Sequence, residues 1–164
     1  MTFTVTSNSF KDGDYLSKDH VVSEDFGFGC AGGNRSPHLA WRGAPAGTKS
    51  FAITCYDPDA PTGSGFWHWL VVNIPPTVTD LAAGAGSAGG QLPAGALATR
   101  TDYGRAGYGG PCPPEGDHPH RYLFTVYAVG DTLDVTADTS AAVIGFNLHF
   151  KTLAKASIMG LYKR

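Results

Sequence analysis

Charge is scarce in this sequence. Only 16% of its 164 residues are Asp, Glu, Lys or Arg, and they sum to a formal net charge of -2. No basic stripe runs through it, which sets nucleic acid aside as a partner, because phosphate backbones are gripped by clustered Lys and Arg. There is no Lys/Arg-rich polar face of a membrane-surface helix, and no apolar run approaches the roughly 20 residues that span a bilayer. Met1 to Phe10 alternates Thr and Ser with apolar residues and has no charged region before an apolar run, so it does not read as a signal peptide. Cysteine is sparse too. Cys30, Cys55 and Cys112 are an odd number at wide spacing, without a C-x-x-C pair. That argues against a structural zinc site and a disulfide framework, and predicts a reducing, cytoplasmic setting. G-x-S-x-G, H-E-x-x-H and P-loop signatures are all missing.

What the chain has in quantity is glycine and proline, 22 and 11 residues, with 42% hydrophobic residues. Many turns between short elements favour a mostly β domain, and 164 residues suit a single domain over 1–164 with its own core. Three segments read as strands buried on both faces: Ser50 to Tyr56, Trp67 to Ile74 and Arg121 to Val129. In the first, Phe51, Ile53 and Cys55 share one face. In the second, period two groups His68, Leu70, Val72 and Ile74. Phe3 to Thr6 and His38 to Trp41 are weaker strands. Leu81 to Ala98 has a linker's composition, but strand patterns on both sides make it a long surface loop. At the C-terminus the spacing of Phe146, Phe150, Leu153, Ser157 and Leu161 predicts a helix over Ala141 to Leu161, capped by Asp138, Thr139 or Ser140.

Two clusters carry potential chemistry. Asp57-Pro58-Asp59-Ala60-Pro61 follows the first buried strand, and its prolines stiffen the loop that presents the carboxylates. Gly109 to His120 runs as a proline- and glycine-rich loop into the third strand. His68 and His120 both stand at strand starts beside these rigid loops, where sites are commonly built.

The strings YDPDAPTGSGFWHWLVVNIP (Tyr56 to Pro75) and GYGGPCPPEGDHPHRYLFTVYAV (Gly107 to Val129) resemble the two signature segments of the phosphatidylethanolamine-binding proteins. Asn34 to Trp41, Pro45 to Ala52 and Gly145 to Tyr162 resemble the bacterial, Raf-kinase-inhibitor-like branch. The resemblance implies an antiparallel β-sandwich with Greek-key connections and a pocket for phosphate-type anions. By motif position it implies ligand-binding roles for Asp57, Asp59, Pro61, His68, Pro114, His120 and Tyr122. No cofactor or metal is implied. The expected ligand is a small anion or a phosphorylated group, in a binding module of kinase-inhibitor-like, regulatory type. A protein partner and a homodimer are further expectations from the branch alone.

Histidines suit an anion, but aspartates repel one, so the aspartates are expected to orient the rings and hold His68 or His120 charged near neutral pH. The rival reading is a hydrolase, with an Asp–His general base or with Asp57, His68 and His120 around a metal. Tyr108 and Tyr122 are expected at the pocket mouth, Cys112 as an inert small residue, and His118 as exposed.

Overall fold

The computed structural model describes residues 1–164. In chain order it contains β1 (Thr4–Thr6), β2 (Leu39–Arg42), β3 (Ser50–Asp57), β4 (Phe66–Ile74), β5 (Asp80–Leu81), β6 (Leu97–Ala98), β7 (His120–Val129), α1 (Ala141–Lys151) and β8 (Thr152–Tyr162). A small sheet has the order β1-β2-β5 and a larger one the order β6-β4-β3-β7-β8, with every pairing antiparallel. β3 and β4 form a hairpin pair. A long connection then returns the chain to the other side of β3 as β7. The predicted antiparallel sandwich is what the chain forms.

The larger core fills the space between the sheets. Leu39, Trp41 and Leu81 from the small sheet meet Phe51, Ile53, Trp69, Val71, Phe124 and Val126 from the large one. On the opposite face of the large sheet, Ala52, Leu70, Val72 and Val129 pack against Ala141, Ile144 and Leu148 of α1. Each large apolar side chain so buried contributes roughly 1.5–3 kcal/mol. The central strands are therefore apolar on both faces, as their composition predicts.

β4 departs from simple alternation. Its register against β3 slips between Phe51 and Ile53 and again between Cys55 and Tyr56, each time by one extra residue on β4. Asn73 takes the left-handed conformation (φ 58°) at the first slip, and its side chain exchanges hydrogen bonds with the backbone of Leu133. The two bulges turn His68 and Ile74 away from Leu70 and Val72. The four residues that period two groups together are thus divided between the two faces.

The C-terminal expectation is corrected. α1 starts where the caps predict, with the Ser140 hydroxyl accepting from the Val143 N–H, but it ends at Lys151. Thr152–Tyr162 is a strand paired with β7 along its full length, from His120 opposite Tyr162 to Val129 opposite Thr152. The helical spacing picks out residues that α1 leaves in water: Phe146 is 67% exposed and Phe150 70%. Pairing with the open edge of β7 outweighs local helix preference, because it satisfies a row of backbone groups at once.

The cysteine expectation is corrected as well. Cys30 and Cys112 form a disulfide with their Cα atoms 6.0 Å apart, and Cys55 alone is free, buried in the main core. A separation of 82 residues hid this pair in the sequence. The Leu81–Ala98 stretch is also tied down more firmly than its composition suggests. Gly84 N–H donates to the Ser36 carbonyl, and the Ser36 and Ser87 hydroxyls bond the facing backbone. No helix is long and apolar enough to cross a membrane.

Candidate functional site

Antiparallel pairing brings the end of β3 and the starts of β4 and β7 to the same end of the large sheet. Asp57 closes β3, His68 lies near the start of β4, and His120 and Tyr122 open β7. By alternation His68 would face α1, with Leu70. The bulge opposite Cys55 and Tyr56 re-aims it toward Tyr122, whose ring it meets edge-on at 5.2 Å. The result is a cavity of about 150 Å³ whose polar lining is Asp57, Thr62, His68, His120 and the phenols of Tyr103 and Tyr122. Its apolar walls are Phe28, Phe66, Ala60, Pro61, Pro113, Pro114 and the half-cystine Cys112.

Six of the seven expected residues line this cavity: Asp57, Pro61, His68, Pro114, His120 and Tyr122. Asp59 does not. Its carboxylate takes the Arg121 guanidinium in a fork, at 3.0 and 2.9 Å, and the Arg121 backbone N–H at 2.8 Å. These bonds hold Asp59 well below the ordinary carboxylate range, at about 2. Its role in this geometry is to pin the Asp57–Pro61 loop to the start of β7. Because the folded value is depressed, the stabilisation is complete above the ordinary value of 3.8 and fades as pH falls toward 2. Asp59→Asn is expected to cost roughly 1–2 kcal/mol at neutral pH, discounted for the exposed guanidinium. Urea melts should show the gap from wild type closing between pH 4 and pH 2; a gap independent of pH would count against the pair.

The two histidines are held in different states. Asp57 is buried; one carboxylate oxygen accepts from the Asp59 N–H at 2.7 Å and the other meets His120 Nδ1 at 2.7 Å. His120 Nε2 meets the Asp117 carboxylate at 2.9 Å. Burial would lower the His120 pKa, but hydrogen bonds and charge attraction from Asp117 and Asp57 outweigh it, so the value is raised and the ring is held as imidazolium. His68 goes the other way. Burial lowers its pKa, despite the carbonyls of Gly109 (2.8 Å) and Gly110 (3.1 Å) at Nδ1 and the pull of Asp57. Nδ1–H donates to those carbonyls, which leaves a lone pair on Nε2.

The expectation of a histidine held charged by an aspartate thus applies to His120 and not to His68. Two carboxylates around one imidazolium also leave the cluster one negative charge overall. The stability contributions have opposite signs. That of His120 is full below 6.5 and lost as pH rises through its raised value, while that of His68 is full above 6.5 and lost as pH falls through its lowered one.

A second layer of residues sets this geometry. Asn34, buried and at φ 49°, donates to the Tyr108 carbonyl at 3.0 Å and accepts from the Gly110 N–H at 2.8 Å. It thereby fixes the loop whose carbonyls orient His68. A Cβ on Gly110 would run into the carbonyl oxygen of His20, so only glycine allows this approach. Tyr103 donates from its hydroxyl to the Gly110 carbonyl at 2.8 Å and packs edge-on against His68 and Phe66. Tyr103, Phe66 and Asn34 escaped the sequence reading, and Tyr108 is a correction. It is buried against Trp69 with its hydroxyl on the His20 carbonyl, away from the cavity. Tyr103, four residues before the signature segment begins, occupies the expected position instead.

Chemically, the Asp57–His120 pair has no lone pair to offer as a base, because Asp117 covers the second nitrogen. No group of three or more His, Cys, Asp or Glu side chains converges in a metal-binding arrangement. What the cavity does hold is a neutral imidazole acceptor, a charged imidazole and two phenols, within aromatic and proline walls.

Residues 6–163 match the family model for phosphatidylethanolamine-binding protein. The chain is similar to two proteins of Escherichia coli K12. The UPF0098 protein YbcL is 53% identical over 163 residues, covering 98% of this chain and 87% of the relative. The UPF0098 protein YbhB is 53% identical over 157 residues, covering 95% and 97%. The crystal structure of YbcL, described as a new member of the mammalian PEBP family, superposes with a TM-score of 0.95 at 52% identity, over 100% of this chain and 99% of that one.

Proposed function

The chain belongs to the phosphatidylethanolamine-binding protein family, and from that premise we propose that the cavity between His68 and His120 binds a phospho group carried by a larger molecule. The observation that carries the reading is the pairing of one charged and one neutral imidazole at the same small cavity. A phosphate monoester near neutral pH shuttles between one and two charges. Its protonated oxygen donates to the His68 lone pair, and its bare oxygens accept from imidazolium N–H. Low-dielectric walls strengthen both bonds.

Size supports a group rather than a whole ligand. About 150 Å³ is below the roughly 300–1,000 Å³ of sites that enclose drug-sized molecules. A phosphorylated side chain of a protein partner, in keeping with the kinase-inhibitor-like branch, supplies such a monoester; a phospholipid head group shares the anionic oxygens but is a diester, with no protonated oxygen for His68. The cytoplasmic expectation loses its premise with the Cys30–Cys112 bridge, which suits an oxidising compartment better.

The test is calorimetry of wild type and His68→Gln with inorganic phosphate, O-phospho-L-serine and glycerophosphoethanolamine, in buffers of differing ionisation enthalpy. Wild type is expected to bind inorganic phosphate and O-phospho-L-serine and, at pH 8, to take up about one proton with either, held on the phosphate oxygen that donates to His68. His68→Gln should bind at least about tenfold more weakly without that uptake. Equal binding by both proteins would move the ligand elsewhere. The relative strengths of the phosphoserine and head-group probes distinguish the two carriers.

A further inference from the structure

The two carboxylates on His120 are not equivalent. The Asp57 side chain is 3% exposed, and its second oxygen is fixed by the Asp59 N–H. The Asp117 side chain is 39% exposed, and its only hydrogen-bond partner is His120 Nε2. It rides on an exposed turn, closed by a 3.2 Å bond from the Asp117 N–H to the Pro114 carbonyl, with Gly116 in the left-handed conformation (φ 84°). Glu115, on the same turn, points elsewhere and faces Arg164 at 3.6 Å. So the single charged donor at the cavity is capped by an anionic group of the chain itself, from an exposed turn.

We propose that Asp117 is an intramolecular stand-in for the ligand's anionic group: it occupies His120 Nε2 in the free protein and leaves when a phospho group takes that nitrogen. Asp117 thereby sets the affinity threshold of the pocket. The inference rests on the phospho-group reading above and adds to it the residue that opposes binding. A carboxylate on a turn can swing into solvent without disturbing β7, whereas Asp57 cannot leave without stranding a buried charge. The exchange also removes the excess negative charge: with Asp117 in water, Asp57 and His120 balance, and the incoming anion meets a neutral pair and the His68 acceptor.

The test uses full-length wild type, Asp117→Ala, Asp117→Asn and Glu115→Gln, titrated with inorganic phosphate at pH 6, where Asp57 still holds His120 charged. Asp117→Ala is expected to bind phosphate about tenfold more tightly than wild type, the scale of a partly exposed charge-assisted contact. Asp117→Asn should lie between them, and it carries the same comparison if the alanine variant folds poorly. Glu115→Gln removes the same charge from the same turn without freeing Nε2, so it should stay within about twofold of wild type. Weaker or unchanged binding by Asp117→Ala, with wild type still binding, overturns the stand-in and leaves the pocket reading intact. A gain in Glu115→Gln as large as in Asp117→Ala overturns it in favour of a general charge effect. Absence of binding in wild type and in both Asp117 variants removes the pocket reading and the stand-in together.

Discussion

Asp57→Ala is expected to cost about 3–5 kcal/mol of stability at pH 6, the usual penalty for removing one partner of a buried charge pair. The Asp57 carboxylate lies 2.7 Å from His120 Nδ1, with both side chains almost wholly buried. Its removal leaves an imidazole that must stay charged without its main partner or shed its proton. It also removes the acceptor that folds the Asp59 N–H back onto the loop. The sign with pH is fixed by the raised His120 pKa: the pair stabilises fully below 6.5 and loses its contribution as pH rises through the raised value. Urea unfolding should therefore show a larger gap between wild type and variant at pH 6 than at pH 9. A gap below about 1 kcal/mol at pH 6 would mean that the pair does not hold this end of the sheet.

Opening the Cys30–Cys112 bridge is expected to cost about 2–4 kcal/mol, because it releases a loop of 82 residues in the unfolded chain. The local effect falls on the site. Cys112 is part of the cavity wall, next to Pro113 and Pro114 and facing Phe28. Reduction should therefore weaken phosphate binding as well as lower the melting temperature. The Cys30→Ser, Cys112→Ser double variant should match reduced wild type and ignore added reductant. If wild type melts identically with and without reductant, the bridge is not formed in solution.

The mostly β class is legible in the sequence because the central strands are apolar on both faces and are punctuated by glycine and proline, while the sandwich arrangement is legible only through the family resemblance. The cavity was legible because its residues, Phe28 and Tyr103 excepted, fall in two unbroken motifs at the ends of adjacent strands. Period two failed at His68 and Ile74 because bulges are a property of pairing, and no local signal marks them beyond an asparagine at position 73. The C-terminal strand was read as helix because Phe146, Phe150 and Leu153 repeat at helical spacing while remaining exposed. What decides the matter is the open edge of β7, which is visible only in three dimensions. The disulfide and the Asn34 clamp join positions 82 and 76 residues apart, so neither leaves a spacing signature. Asp59 matched the family motif yet turns to Arg121, since a motif position does not fix which way a side chain faces.

The central claim is that a neutral His68 and a charged His120 together receive a phospho group. Nitrogen-15 NMR of the imidazole side chains during titration with inorganic phosphate at pH 7 tests it most directly. In the free protein, His68 Nε2 should carry the resonance of an unprotonated nitrogen, while both nitrogens of His120 carry those of protonated ones. On binding, His68 Nε2 should shift toward the hydrogen-bonded or protonated position, and His120 Nε2 should respond as it exchanges Asp117 for phosphate. Saturating phosphate that leaves both Nε2 resonances unmoved would contradict the account.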